Sequence, residues 1–130
     1  MADLKKLDVF HGGHALALNV IRASASMRGP IALAIKGQMV RAALSVPTNI
    51  VEGSAKGGDR EFARFVKIAI GSLSELEYHL TVAVDTELIS QATFESLFGQ
   101  LVTERKRLVN FLHRLNASIN ASVSKADSKV

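Results

Sequence analysis

The side chains best placed for chemistry are three cations at helical spacing, Arg60, Arg64 and Lys67. At ~100° per residue they share one stripe, opposite the apolar positions Phe62, Val66 and Ala69. Clustered Lys and Arg displace counterions from a polyanion, so the chemistry they suit is phosphate contact. Two other readings stand beside it. One is a solvated helix face complemented by Asp59 and Glu61; the other is contact with the acidic patch of a neighbouring subunit.

Other candidates are weaker. Asp8, His11 and His14 follow an i, i+3, i+6 spacing and offer the two imidazoles and one carboxylate of a metal triad. Gly12 and Gly13 weaken the helix there, and no second helix supplies an obvious ligand, so no metal is expected. His79 and His113 are isolated and read as surface or edge histidines. The chain has no cysteine, hence no disulfide, thiolate zinc site or thiol nucleophile. Gly57-Gly58 lacks the spacing and lysine of a phosphate-binding loop. No Ser/His/Asp arrangement has a nucleophile context, and Glu52, Glu75 and Glu77 come with no sign of a pocket. The expectation is a non-enzyme without a cofactor. With no tryptophan and one tyrosine, base-stacking recognition of single strands is disfavoured.

Helices must position these groups. Phe62, Val66, Ala69, Leu73, Leu76, Leu80 and Ala83 form a seam at alternating spacings of four and three. Phe94, Phe98, Leu101, Arg105, Leu108, Leu112, Leu115 and Ile119 form a second, with an arginine inside it. A charge in a seam must be paired or snorkelling, and Glu77 is the best partner for Arg105 by level and rotation. Leu4, Leu7, His11, His14, Leu18, Ile21 and Ala25 mark the stripe expected of a first helix. A second helix starts after Pro30 and contains Pro47, which removes a backbone donor and should kink it; Ser45 and Asn49 stand ready to satisfy the freed groups.

These spacings predict helices at about 4–25, 31–54, 60–86 and 91–120, with Asp59 and Ser90 as N-caps. Short connections make successive helices antiparallel, which gives an all-α, up-down-up-down four-helix bundle over residues 1–122. Residues 123–130 read as a flexible tail. A length of 130 residues, 48% of them hydrophobic and 22% charged, suits one domain with a sizeable core. Lys5 and Lys6 before the apolar run Ala15–Ile21 resemble an export signal only faintly, because Arg22 ends the run. No uncharged run approaches the ~20 residues of a membrane span. A soluble, cytoplasmic protein is expected, with no membrane partner.

The net charge of +4 is unevenly distributed. Residues 68–104 carry six acidic and no basic groups, whereas 105–114 carry four basic and no acidic ones. Folding back near residue 89 sets residue 64 level with about 114, and 85 near 95. The bundle is therefore expected to be electrically polar. Lys5, Lys6, Lys56, Arg60, Arg64, Lys67 and Arg114 gather at the positive end, with Arg41 and Lys36 nearer mid-bundle.

The middle of the chain carries a more specific signal. The run Gln38 to Gly53, QMVRAALSVPTNIVEG, is followed by Glu61-Phe62-Ala63-Arg64-Phe65, Ala69-Ile70-Gly71-Ser72-Leu73 and Glu75-Leu76-Glu77. This pattern, over about residues 38–80, closely resembles the signature of the bacterial four-helix-bundle family known as the 23S rRNA-intervening-sequence or S23 ribosomal protein family. The resemblance implies a ring-forming bundle, typically a homopentamer. It also implies a relation to the accessory variability determinant protein of diversity-generating retroelements, which binds nucleic acid and a reverse transcriptase.

Arg41, Ser45, Pro47, Asn49, Glu52 and Gly53 match the signature and read as structural. Ser45, Pro47 and Asn49 shape a kink, Gly53 ends the helix, and Arg41 and Glu52 make ion pairs or cross a subunit boundary. Arg41 on phosphate is the functional alternative. Two functions are expected to compete. In one, a homo-oligomer binds RNA or DNA through Arg60, Arg64, Lys67, Lys56, Arg114 and Arg41. In the other, an adaptor ring docks a partner protein and uses its charged ends for assembly.

Overall fold

The computed structural model describes residues 3–128. A short 3-10 turn, Leu4–Lys6, precedes four helices: α1 Asp8–Ser24, α2 Ala32–Ala55, α3 Asp59–Asp85 and α4 Gln91–Ser128. No strand occurs among the described residues. α1 packs on α2 and α4, and α3 packs on the same two helices, so sequence neighbours are spatial neighbours around the bundle. This is the expected antiparallel four-helix arrangement. No described helix is long and apolar enough to cross a membrane.

The α3 seam holds at every position: Phe62, Val66, Ala69, Leu73, Leu76, Leu80 and Ala83 are all buried. The α1 stripe does not. His11, His14, Ile21 and Ala25 are exposed, and the helix buries Val9, Gly13, Leu16, Ala17, Val20 and Ser24 instead. This face is made largely of small residues, which allow close approach rather than bulk burial. α4 buries Leu97, Leu101, Glu104, Leu108, Phe111 and Leu115. Arg105 is therefore only half-buried on the flank of the seam, not inside it. Its predicted partner is correct: Arg105 Nη2 donates to Glu77 Oε1 at 2.5 Å. The pair is a partly exposed bridge between α4 and α3 rather than a core ion pair.

Gly53 also differs from expectation. α2 continues past it to Ala55, and the chain turns at Gly57, whose φ of +81° suits glycine. Gly53 is instead a point of contact. A Cβ there would lie 2.8 Å from Phe62 Cδ1 and 2.9 Å from Phe65 Cβ. Gly58, not Asp59, occupies the N-cap of α3, while the Asp59 carboxylate accepts a bond from the Ser118 hydroxyl on α4 at 2.5 Å. Ser90 caps α4 as expected, its Oγ accepting the Thr93 N–H at 3.0 Å.

α4 remains helical beyond Ser122 to Ser128, where the sequence pattern suggested a tail; residues 129–130 lie outside the described residues. Every side chain from Asn120 to Ser128 is exposed. Ser118 is level with the start of α3 and Ile119 still packs against the core, so the nine residues after it overhang the bundle by about 14 Å at 1.5 Å per residue.

Two substitutions test this packing. Gly53→Ala should destabilise the fold by about 1–3 kcal/mol, because the Phe65 Cβ it meets is fixed to the backbone. Ser90→Ala should cost about 1 kcal/mol through loss of the cap. Urea denaturation midpoints, compared at unchanged slope, measure both.

Candidate nucleic-acid interface

The positive end forms where the start of α1, the α2–α3 turn, the start of α3 and the later part of α4 meet. The Asp59–Ser118 bond, the Phe62–Phe111 ring contact at 5.0 Å and the Glu77–Arg105 bridge fix the antiparallel register of α3 and α4. That register carries Arg114 to the same end as Arg60 and Arg64. Asp85, Glu87 and Glu95 fall at the opposite end, with Arg22 and Arg28 near them.

Arg60, Arg64 and Lys67 are all exposed on α3. Phe65 supports two cations: the Arg64 guanidinium lies 4.6 Å and the Lys56 ammonium 5.8 Å from its ring centroid. Arg64 is already partly neutralised, since it pairs with Glu61 at 3.2 Å and holds that carboxyl below its ordinary range. Arg60 sits at the corner between the start of α3 and the overhanging end of α4, beside Ile119 and Val123.

Arg114 lies elsewhere on this end. Its guanidinium is 5.5 Å from the Phe111 ring centroid, and it lines a cleft of about 220 Å³ between α1 and α4 together with Lys6 and Arg107. Among the described residues Lys56, Arg60, Lys67 and Arg114 make no ion pair. Arg107 was not singled out from the sequence, although the basic run 105–114 that contains it was the available signal.

Arg41 does not join this cluster. The Ser45–Ser72 bond sets the α2–α3 register and leaves Arg41 roughly 24 Å along the axis from Arg60. It lies with Gln38, Ser45 and Glu75 along an outer groove between α2 and α3. Neither Arg41 nor Glu52 makes an ion pair within the described chain, and both are exposed.

The polar signature residues knit α2 to α3 around Pro47. Ser45 Oγ and Ser72 Oγ are 2.7 Å apart, and Ser72 Oγ donates to the Ile68 carbonyl at 3.0 Å. Asn49 Nδ2 donates to the Ser45 carbonyl at 2.7 Å and to Ser45 Oγ at 3.0 Å. Asn49 thus serves the carbonyl two residues before the proline, not the Ala43 carbonyl that Pro47 deprives of its N–H.

The motif Asp8, His11, His14 is not assembled. His11 Nε2 bonds the Lys5 carbonyl at 2.7 Å, His14 stacks on Phe10, and no described cluster of three His, Asp or Glu side chains is close enough to hold a metal.

The comparisons agree with the fold. A protein from the S23 ribosomal protein family of Bacteroides thetaiotaomicron VPI-5482, described as of unknown function, superposes with a TM-score of 0.72 at 20% identity. The match covers 80% of this chain and 97% of that one. No curated protein matches the chain. The family model described as 23S rRNA-intervening sequence protein matches residues 5–110. That span takes in α1, α2, α3 and the first twenty residues of α4, and the chain therefore belongs to the 23S rRNA-intervening sequence protein family.

Proposed function

We propose that the chain is a non-enzymatic, cytoplasmic, homo-oligomeric bundle that binds RNA or DNA through its positive end. The observation that carries this reading is the set of cations without ion-pair partners, Lys56, Arg60, Lys67 and Arg114, gathered at one end. Exposed and unneutralised, they are available to exchange counterions with a phosphate backbone. Their placement favours contact with backbone charge over base readout. The assembly is proposed as a ring, the homopentamer that the resemblance implies. A reverse transcriptase is a further partner suggested by the same resemblance.

A second reading rests on a different surface. Leu44, Val51 and Ile68 stand 43%, 40% and 42% exposed on the outer side of α2 and α3. An apolar face of this kind suits a subunit contact or a docked partner protein. In that reading the ring is an adaptor and its charged ends serve assembly.

Titration of a labelled DNA duplex and a structured RNA at several salt concentrations tests the first reading. Binding should weaken linearly in log–log form with salt. Replacing Arg60, Arg64 and Lys67 together by alanine should lower the slope on duplex DNA by about 2, since Arg64 already has Glu61. Equal binding by variant and wild type would remove the assigned face. The solution mass by light scattering tests the ring, and a monomer at micromolar concentration would overturn both it and the adaptor. A ring with no salt-dependent binding would favour the adaptor.

A further inference from the structure

One buried group has no part in the charged end. Glu104 is fully buried on α4, and neither carboxylate oxygen has a hydrogen-bond partner. An ionised carboxylate in that state would carry a desolvation cost of several kcal/mol with little to offset it. The bundle is built around this side chain nonetheless. α1 offers it two glycines. A Cβ at Gly12 would collide with Glu104 Oε1, and one at Gly13 would come within 3.0 Å of Oε2 and 3.2 Å of Val46 Cγ1 on α2.

The charged surroundings are sparse. Arg107 is the cation nearest it, 3.7 Å from Oε1 and itself nearly half exposed. On α1, Asp8, His11 and His14 are exposed. On α2, Arg41 and Glu52 are exposed, and the residues that face Gly13 beside Glu104 are the uncharged Val46 and Pro47. On α3, Glu77 is taken by Arg105 and Glu75 lies along the outer groove. One half-exposed guanidinium, beyond hydrogen-bond range at 3.7 Å, offsets only part of the lost hydration of a carboxylate.

A neutral acid fits the site better, because it has no charge to desolvate, and the adjoining stretch of α2 carries a carbonyl without its helical donor. Pro47 has no N–H, so the buried Ala43 carbonyl one turn earlier lacks its helical donor. Pro47 and Glu104 both abut Gly13.

We propose that Glu104 is held as the neutral carboxylic acid and makes the junction of α1, α2 and α4 dependent on a proton. Burial pushes its carboxyl up to about 8, with Arg107 opposing the rise only in part. The folded value lies above the unfolded one of about 4.5. The folded state thus holds a proton that the unfolded chain releases. Stability from this group is full below about pH 4.5 and falls as pH rises toward 8. Within that window the folding constant falls up to tenfold per pH unit, and above it the dependence levels off.

The test compares wild type with Glu104→Gln, whose amide keeps the shape, the neutrality and a donor. The folding constants come from denaturant titrations at pH 5 to 9. The ratio of variant to wild type should grow up to tenfold per pH unit between about 5 and 8 and then stay constant. A ratio independent of pH would overturn the proposal. Should the variant fail to fold, the wild-type Glu104 carboxyl carbon, followed by NMR against pH, decides. A midpoint well above 6 supports the neutral acid, and one near 4.5 overturns it. Hydrogen exchange at the Gly12 and Gly13 amides should quicken above the midpoint in wild type more than exchange kinetics alone require, and its failure to do so would remove the link to α1.

Discussion

The architecture depends on how closely the helices approach one another, and glycine sets that distance at two places. Gly53 lets α2 lie against Phe62 and Phe65 of α3, and the Gly12–Gly13 pair lets α1 close over Glu104 of α4. A side chain at Gly53 would meet the Phe65 Cβ and push α2 and α3 apart, whereas one at Gly12 would displace the ends of Glu104 and Arg107. The large core residues fill what remains, among them Leu16, Met39, Leu73, Leu76, Leu101 and Leu108, all fully buried. Packing is therefore specified by the smallest residues as much as by the largest.

The positive end follows from that arrangement. Tight antiparallel packing fixes the register, and the register brings residues far apart in sequence to one level. The cations then face water because the apolar seam on each helix claims the opposite side. Phe65 and Phe111 serve both purposes, each burying its ring while presenting a face to a cation. The hydrogen-bonded set Ser45, Asn49 and Ser72 holds α2 and α3 together where Pro47 interrupts the backbone ladder.

The fold class, the four helices, the α3 seam and the Arg105–Glu77 pairing were legible because apolar residues there recur at one spacing only. α4 was ambiguous. Two seams share Leu101, Leu108 and Leu115, and they differ in whether Arg105 or Glu104 turns inward. Both are charged, so periodicity alone favours neither. The glycine pair on another helix decides between them, and that is information a single-helix pattern does not contain. α1 misled for a related reason: its buried face includes Gly13, Ala17 and Ser24, while larger apolar and aromatic groups lie partly outside. At the charged end, the level of each cation could be read from the turn near residue 89. Which cations share a patch could not, because this depends on azimuth around the bundle.

The overhang of α4 also alters the symmetry of that end. Four equal helices would present a blunt disc, open alike from every side. A single helix projecting about 14 Å beyond its neighbours makes a post on one rim, with Arg60 at its foot and Lys125 and Asp127 near its tip. The rim at the α2–α3 turn, which carries the exposed Lys56, has no such projection. The end is thereby one-sided, no longer symmetric about the bundle axis.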